Sequence, residues 1–234
     1  MKRPEDLAVT PEQRAELGRL LSGGRMNSYQ AAVELARASG DHALDVYVYN
    51  MALAGALLGP LHILEIATRN AMNEALATFT GRRDWWAAPN VDLDARGARK
   101  IEEAAKKVTT DRGSGGTPAT ADDVVAALEF GFWTALLHGR YDRTLWQPAL
   151  QGAFPNSRRT RHQLKSGLDA LRRLRNRVTH HEPIHAREPL ADLEEIQRFI
   201  GFVSDPVAEW VRDRSRLPAI VRAQPGSACP VRHF

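Results

Sequence analysis

Arg175, Asn176 and His180 bring a permanent planar cation, a carboxamide and a titratable imidazole into six consecutive residues of what reads as one helix. Histidine titrates near neutrality and can carry a proton to or from a hydroxyl or a leaving oxygen. Arginine presents fixed donors to a phosphate, where negative charge shifts in a transition state. Asn176, about one turn before His180, is suited to orient the imidazole or to hydrogen-bond a phosphate.

The element that must position them reads as a long basic helix, starting at Asn156 or Ser157 and ending near His181, because Pro183 disfavours helical geometry at Glu182. Leu164, Leu168, Leu171, Arg175 and Val178 follow spacings of four, three, four and three, so Arg175 takes a slot where the stripe calls for an apolar residue. An arginine aimed at a packing seam is costly unless a carboxylate or a phosphate meets it. At about 100° per residue, Asn176 and His180 lie about 100° and 140° round from Arg175. A cleft holding both Arg175 and His180 is then more easily assembled from two chains, as a two-fold dimer along this seam, or where the helix unwinds before Pro183. Between Ser157 and His180 the cations Arg158, Arg159, Arg161, Lys165, Arg172, Arg173, Arg175 and Arg177 face the single acid Asp169. Such a stretch is either an electrostatic footprint for a polyanion or a solvated helix face.

The run Leu171-Arg172-Arg173-Leu174-Arg175-Asn176-Arg177-Val178-Thr179-His180-His181-Glu182-Pro183-Ile184 closely resembles the signature of the Abi-like (abortive infection) family within the HEPN superfamily, an arginine followed after four to six residues by a histidine. The resemblance continues in Leu64-Glu65-Ile66-Ala67-Thr68-Arg69-Asn70-Ala71, in Asp84-Trp85-Trp86, in Phe130-Gly131-Phe132-Trp133 and in Leu145-Trp146, spanning roughly residues 48–210. It implies a HEPN-like helical bundle that dimerises so that two Arg-Asn-His sets face one cleft. It also implies metal-independent RNA cleavage with the ribose 2′-hydroxyl as nucleophile, no cofactor, and a role as a toxin or phage-defence effector held by a neutralising antitoxin, protein or RNA. Arg175, Asn176 and His180 are the catalytic candidates; Arg158, Arg159, Arg161, Arg172, Arg177 and His181 are candidates for support or RNA binding. Glu65 and Arg69 lie four apart on an otherwise apolar helix, with His62 and Asn73 on the same side. They form an intrahelical ion pair, hold Arg175 or touch RNA. The alternative function is a non-catalytic RNA-binding or regulatory module on the same fold, and a plain interaction scaffold is a third.

His181-Glu182-Pro183-Ile184-His185 matches the zinc-protease pattern, but that motif needs both histidines one turn apart on a continuous helix, and Pro183 works against it. Gly113-Ser114-Gly115-Gly116 lacks the Lys-Ser or Lys-Thr of a phosphate-cradling loop and reads as a flexible linker. No metal site is expected. The five tryptophans are scattered, as core anchors are.

With 234 residues, 43% hydrophobic, 26% charged and only 7% aromatic, the chain is long enough to bury a core without staples and leans towards helix. An all-α fold with no sheet is expected, with additional N-terminal helices, one domain over 1–215 and a loosely ordered tail over 216–234. The net charge of +4 permits a polyanionic partner. The only cysteine, Cys229, excludes a disulfide framework and favours a reducing compartment. The N-terminus lacks a signal-peptide core, and the longest apolar run, Met51 to Leu58, is too short to span a bilayer, so a cytoplasmic protein without membrane partners is expected.

Helices are expected over 11–21, opened by the capping box Thr10-Pro11-Glu12-Gln13 and ended by Gly23-Gly24, and over 28–38, closed by Gly40-Asp41. The stretch 42–79 reads as two helices or one kinked at Gly59-Pro60, and Trp85-Trp86 dock on the core from a connecting segment. Further helices are expected over 94–109, over 120–138 from a Thr120 cap, in a short element over 145–150, and over 189–211 with a kink or break near Pro206.

Overall fold

The computed structural model describes residues 10–21, 23–35, 43–112 and 119–222. Ten α-helices account for most of them, with no strand among the described residues: α1 (Pro11–Leu20), α2 (Gly23–Leu35), α3 (Ala43–Thr80), α4 (Ala95–Arg112), α5 (Ala121–Ala127), α6 (Phe130–Ala135), α7 (Arg161–Thr179), α8 (Pro189–Val203), α9 (Asp205–Arg214) and α10 (Leu217–Arg222). The fold is all-α, as composition and periodicity require. The expected Gly113–Gly116 linker, the Gly40-Asp41 stop and Cys229 lie outside the described residues.

The chain divides into two compact units, one comprising the described residues up to Gly59, Asn176–Glu194 and those from Arg214 onward, the other Pro60–Arg175 and Glu195–Asp213. The divisions fall inside α3, at Gly59-Pro60, and inside α7, at Arg175-Asn176.

In the first unit α1 starts as expected: the Thr10 hydroxyl accepts from the Gln13 amide at 3.2 Å and the Gln13 side chain accepts from the Thr10 amide at 2.9 Å. Gly23-Gly24 differs from expectation, since it opens α2 rather than merely ending α1. Glycine is tolerated at a helix start almost as well as at its end. Met26, Tyr29, Val33 and Ala43 form a buried cluster with Leu21, Val46 and Tyr47 packed on it. Residues 217–222, assigned by composition to a loose tail, form α10, which buries Leu217 and Ile220.

The second unit is built around the part of α3 beyond Pro60 and α7 up to Arg175. Leu61, Leu64, Met72 and Leu76 are buried on α3, and Leu164, Leu168, Leu171 and Leu174 on α7. Trp85 is fully buried and docks as expected; its ring meets Trp86, Phe132 and Trp133, and its indole N–H donates to Asn73 Oδ1 at 3.0 Å. The helix expected over 120–138 is broken. Thr120 does cap it through a box with Asp123, but Leu128 and Glu129 are extended and α6 starts afresh. The helix expected over 189–211 is split at Ser204 into α8 and α9, the break expected near Pro206.

Pro60 is accommodated inside a single 38-residue α3. By length and composition α3 is the one described helix able to cross a membrane, a property that the eight-residue apolar run taken alone does not reveal. Its Leu53, Leu57, Leu61, Leu64, Met72 and Leu76 are buried.

Candidate active site

The helix that carries the candidate residues begins at Arg161, not at 156 or 157, and its start has a clear cause. Thr160 Oγ1 accepts from the Gln163 amide at 3.3 Å while Gln163 Oε1 accepts from the Thr160 amide at 2.9 Å, a second Thr-x-x-Gln capping box. Arg158 and Arg159 therefore precede the helix. On α7 the buried stripe is Leu164, Leu168, Leu171, Leu174 and Val178. Leu174 takes the apolar slot assigned from spacing to Arg175, which sits half-buried beside it. The stripe is buried within the single chain. Ser166, Ala170, Arg173, Arg177 and His180 are exposed at the same four-three rhythm on the opposite side.

Arg175 meets a carboxylate. Its Nε donates to Glu65 Oε2 at 3.1 Å and its Nη2 to Glu65 Oε1 at 3.3 Å, a two-pronged pair between residues 110 apart in sequence. Glu65 thus spends its oxygens on Arg175. Arg69 instead donates to the Asn70 carboxamide at 3.0 Å, so the intrahelical Glu65–Arg69 pair gives way to the longer-range one. His62 is exposed, and Asn73 is the partner of Trp85.

Past Arg175, α7 ends in a compact reversal. The His180 amide donates to Asn176 O at 2.9 Å, the His181 amide to Val178 O at 3.3 Å and the Glu182 amide to Arg177 O at 2.8 Å. The last two are the paired bonds of a Schellman turn with His180 at the C-cap, and His181 takes the left-handed conformation, φ 57°, that this turn requires. Histidine enters that region more readily than most residues. The helix thus ends by backbone reversal before Pro183 is reached. His181 and His185 are consequently not one turn apart on a helix, and the zinc-protease spacing has no helical register here.

His180 is exposed, and its imidazole makes no hydrogen bond or ion pair among the described residues. His181 is exposed too, and its carbonyl accepts from Arg25 Nη1 at 3.0 Å. Arg177 pairs with Glu182 at 3.3 Å across the reversal. Asn50, a buried polar residue of α3, accepts the amides of Ile184 at 2.6 Å and His185 at 3.0 Å, which fixes the chain leaving the turn. The His185 ring lies 4.9 Å from that of Tyr29, and burial pushes its pKa below the ordinary value.

The remaining basic candidates differ in availability. Arg159 pairs with Glu195 at 2.9 Å and stacks on Phe199 and Phe202 at 5.0 and 5.2 Å. Arg161 donates to Asp142 at 2.7 Å and to the Leu137 carbonyl at 2.6 Å; its guanidinium holds the Asp142 carboxyl below the usual carboxylate range. Both are therefore committed within the fold. Arg158 is exposed. Arg172 is half-buried beside Asp169, 3.6 Å away, and its Nε atom is buried without a hydrogen bond among the described residues.

Arg25, Tyr29 and Asn50 carry no sequence signal that ties them to residues 176–185. Only Asn50, a carboxamide inside an apolar helical run, stands out by type. Among the described residues no three His, Cys, Asp or Glu side chains gather in a metal-binding group. Comparison with protein-family models, with curated proteins and with solved structures returns no match.

Proposed function

We propose that the protein is a metal-independent endoribonuclease that cleaves RNA through attack of the ribose 2′-hydroxyl on the adjacent phosphorus. The 2′-oxygen to phosphorus bond forms and the bond from phosphorus to the 5′-oxygen breaks. The 2′-hydroxyl gives up its proton and the departing 5′-oxygen gains one, leaving a 2′,3′-cyclic phosphate and a 5′-hydroxyl. His180 moves these protons, and Arg175 and Asn176 engage the phosphate. The observation that carries this reading is an exposed imidazole, uncommitted to any partner among the described residues, at the C-cap of a basic helix whose last turn begins at Asn176, with Arg175 immediately before it. The resemblance to the Abi-like family supplies the reaction class, the second copy of the chain and the biological role: a cytoplasmic toxin or phage-defence effector restrained by a protein or RNA antitoxin.

One observation favours the second reading, a non-catalytic RNA-binding module. Glu65 occupies Arg175 from two directions, as it would in a purely structural ion pair. The two readings separate on His180→Ala, compared with wild type for both cleavage and binding of the same RNA. An enzyme loses cleavage and keeps most of its affinity; a binding module shows no cleavage in either form. In both cases affinity falls steeply with added salt.

A further inference from the structure

We infer that α2, which lies outside the stretch resembling the Abi-like family, belongs to the catalytic apparatus, with Arg25 as a positioning residue for the turn that carries His180; this rests on the ribonuclease reading above. His181 is the one described non-glycine residue with positive φ, a conformation that L side chains adopt at a cost and that persists only where the surroundings hold it. What holds it is specific. Arg25, 156 residues away in sequence, donates from Nη1 to the His181 carbonyl at 3.0 Å. One turn along the same face of α2, Tyr29 packs its ring on His185 at 4.9 Å. Asn50 takes the amides of Ile184 and His185. The segment 181–185 is thus pinned at a carbonyl, two amides and a ring, while the side chains of His180 and His181 remain exposed.

Arg25 is itself exposed and makes no ion pair among the described residues, so neither core packing nor charge balance accounts for it. Its one hydrogen bond among the described residues goes to the carbonyl of the strained residue next to His180. A single surface hydrogen bond adds little to global stability, but it fixes the local orientation of the reversal and with it the direction of the imidazole.

The test compares Arg25→Ala and Arg25→Lys with wild type in cleavage of a short single-stranded RNA, in amide exchange at Glu182 and in thermal melting. Arg25→Ala is expected to lower kcat by about ten- to a hundred-fold, the scale of displacing a reacting group by about an ångström, with KM changed by less than about three-fold. The melting temperature should stay within about 2 °C, and the Glu182 amide, bonded across the turn to Arg177, should exchange faster. Arg25→Lys recovers part of kcat, since an ammonium also donates to a carbonyl. Adding His181→Gly to Arg25→Ala recovers part of it too, because glycine adopts the left-handed turn unaided. Unchanged kcat with unchanged Glu182 exchange overturns the inference, as does a loss carried wholly by KM, which makes Arg25 an RNA contact only. If wild type cleaves no RNA, the ribonuclease reading fails separately, and Glu182 exchange alone decides whether α2 holds the turn.

Discussion

At the scale of single residues, Glu65 and His185 show how environment sets the role of a side chain. Glu65 sits on a helix rich in apolar residues and accepts two donors from Arg175. Both side chains keep partial contact with solvent, 20% and 34% exposed, which limits the worth of the pair. Glu65→Ala is expected to cost about 1 kcal/mol in urea unfolding and to slow RNA cleavage by removing the two acceptors that orient the Arg175 guanidinium. An unchanged cleavage rate would assign the pair to structure alone. His185 lies against Tyr29, whose ring meets Tyr47 edge-on; Arg25 is the nearby charge on α2, and Asn50 faces the His185 backbone. Among the described residues no carboxylate stabilises an imidazolium there and its Nδ1 is buried without a partner, and burial depresses its pKa. The unfolded chain therefore binds the proton more readily than the folded one. The contribution of neutral His185 is fully present above the unfolded value of roughly 6.5 and is lost as pH falls through and below it. His185→Phe keeps the ring stack and removes the titration, so its melting temperature should decline less than that of wild type between neutral pH and about pH 5. Parallel pH profiles for the two proteins would contradict this assignment.

At the scale of elements, α7 is held at both ends by backbone chemistry and in the middle by a close approach. A Cβ built on Gly167 would stand 2.2 Å from Cζ of Phe199, and that ring is fully buried, flanked by Phe202 and by the Arg159 guanidinium. Glycine to alanine inside a helix ordinarily stabilises by about 1 kcal/mol. Here Gly167→Ala is expected to destabilise by about 1–2 kcal/mol in equilibrium unfolding, because the clash outweighs the propensity gain; a stabilised variant would show that Phe199 can move aside. Elements were legible where their signals are local. The boxes at Thr10 and Thr120 announced α1 and α5, and Pro206 marked the break before α9. The same box at Thr160 was hidden among arginines, whose helix propensity made the preceding residues look helical. The break at Leu128 was invisible because Val124, Leu128, Phe132 and Leu136 keep a helical rhythm and are all buried although two helices share them.

At the scale of the whole molecule, each unit is assembled from separated stretches of chain, and the partners of the candidate residues come from far along the sequence: Glu65 for Arg175, Arg25 for the turn after His180. The candidates Arg175, Asn176 and His180 stand out in the sequence because they fall within six consecutive residues. The need for a carboxylate at Arg175 was legible from the cost of burying a charge, but which of 28 acidic residues supplies it was not. The basic stretch misled for a related reason, since charge in sequence does not say whether a guanidinium faces solvent; Arg159 and Arg161 are spent on Glu195, Asp142 and the Leu137 carbonyl. The central claim concerns the chemistry of His180, and the most direct measurement is cleavage of end-labelled RNA in excess EDTA by wild type and by His180→Ala, at matched concentration and with folding verified by circular dichroism. The ribonuclease account predicts that wild type cuts and leaves 2′,3′-cyclic phosphate ends while His180→Ala does not cut. Equal cleavage by both proteins, or cleavage by neither across single-stranded and structured RNAs, would contradict it.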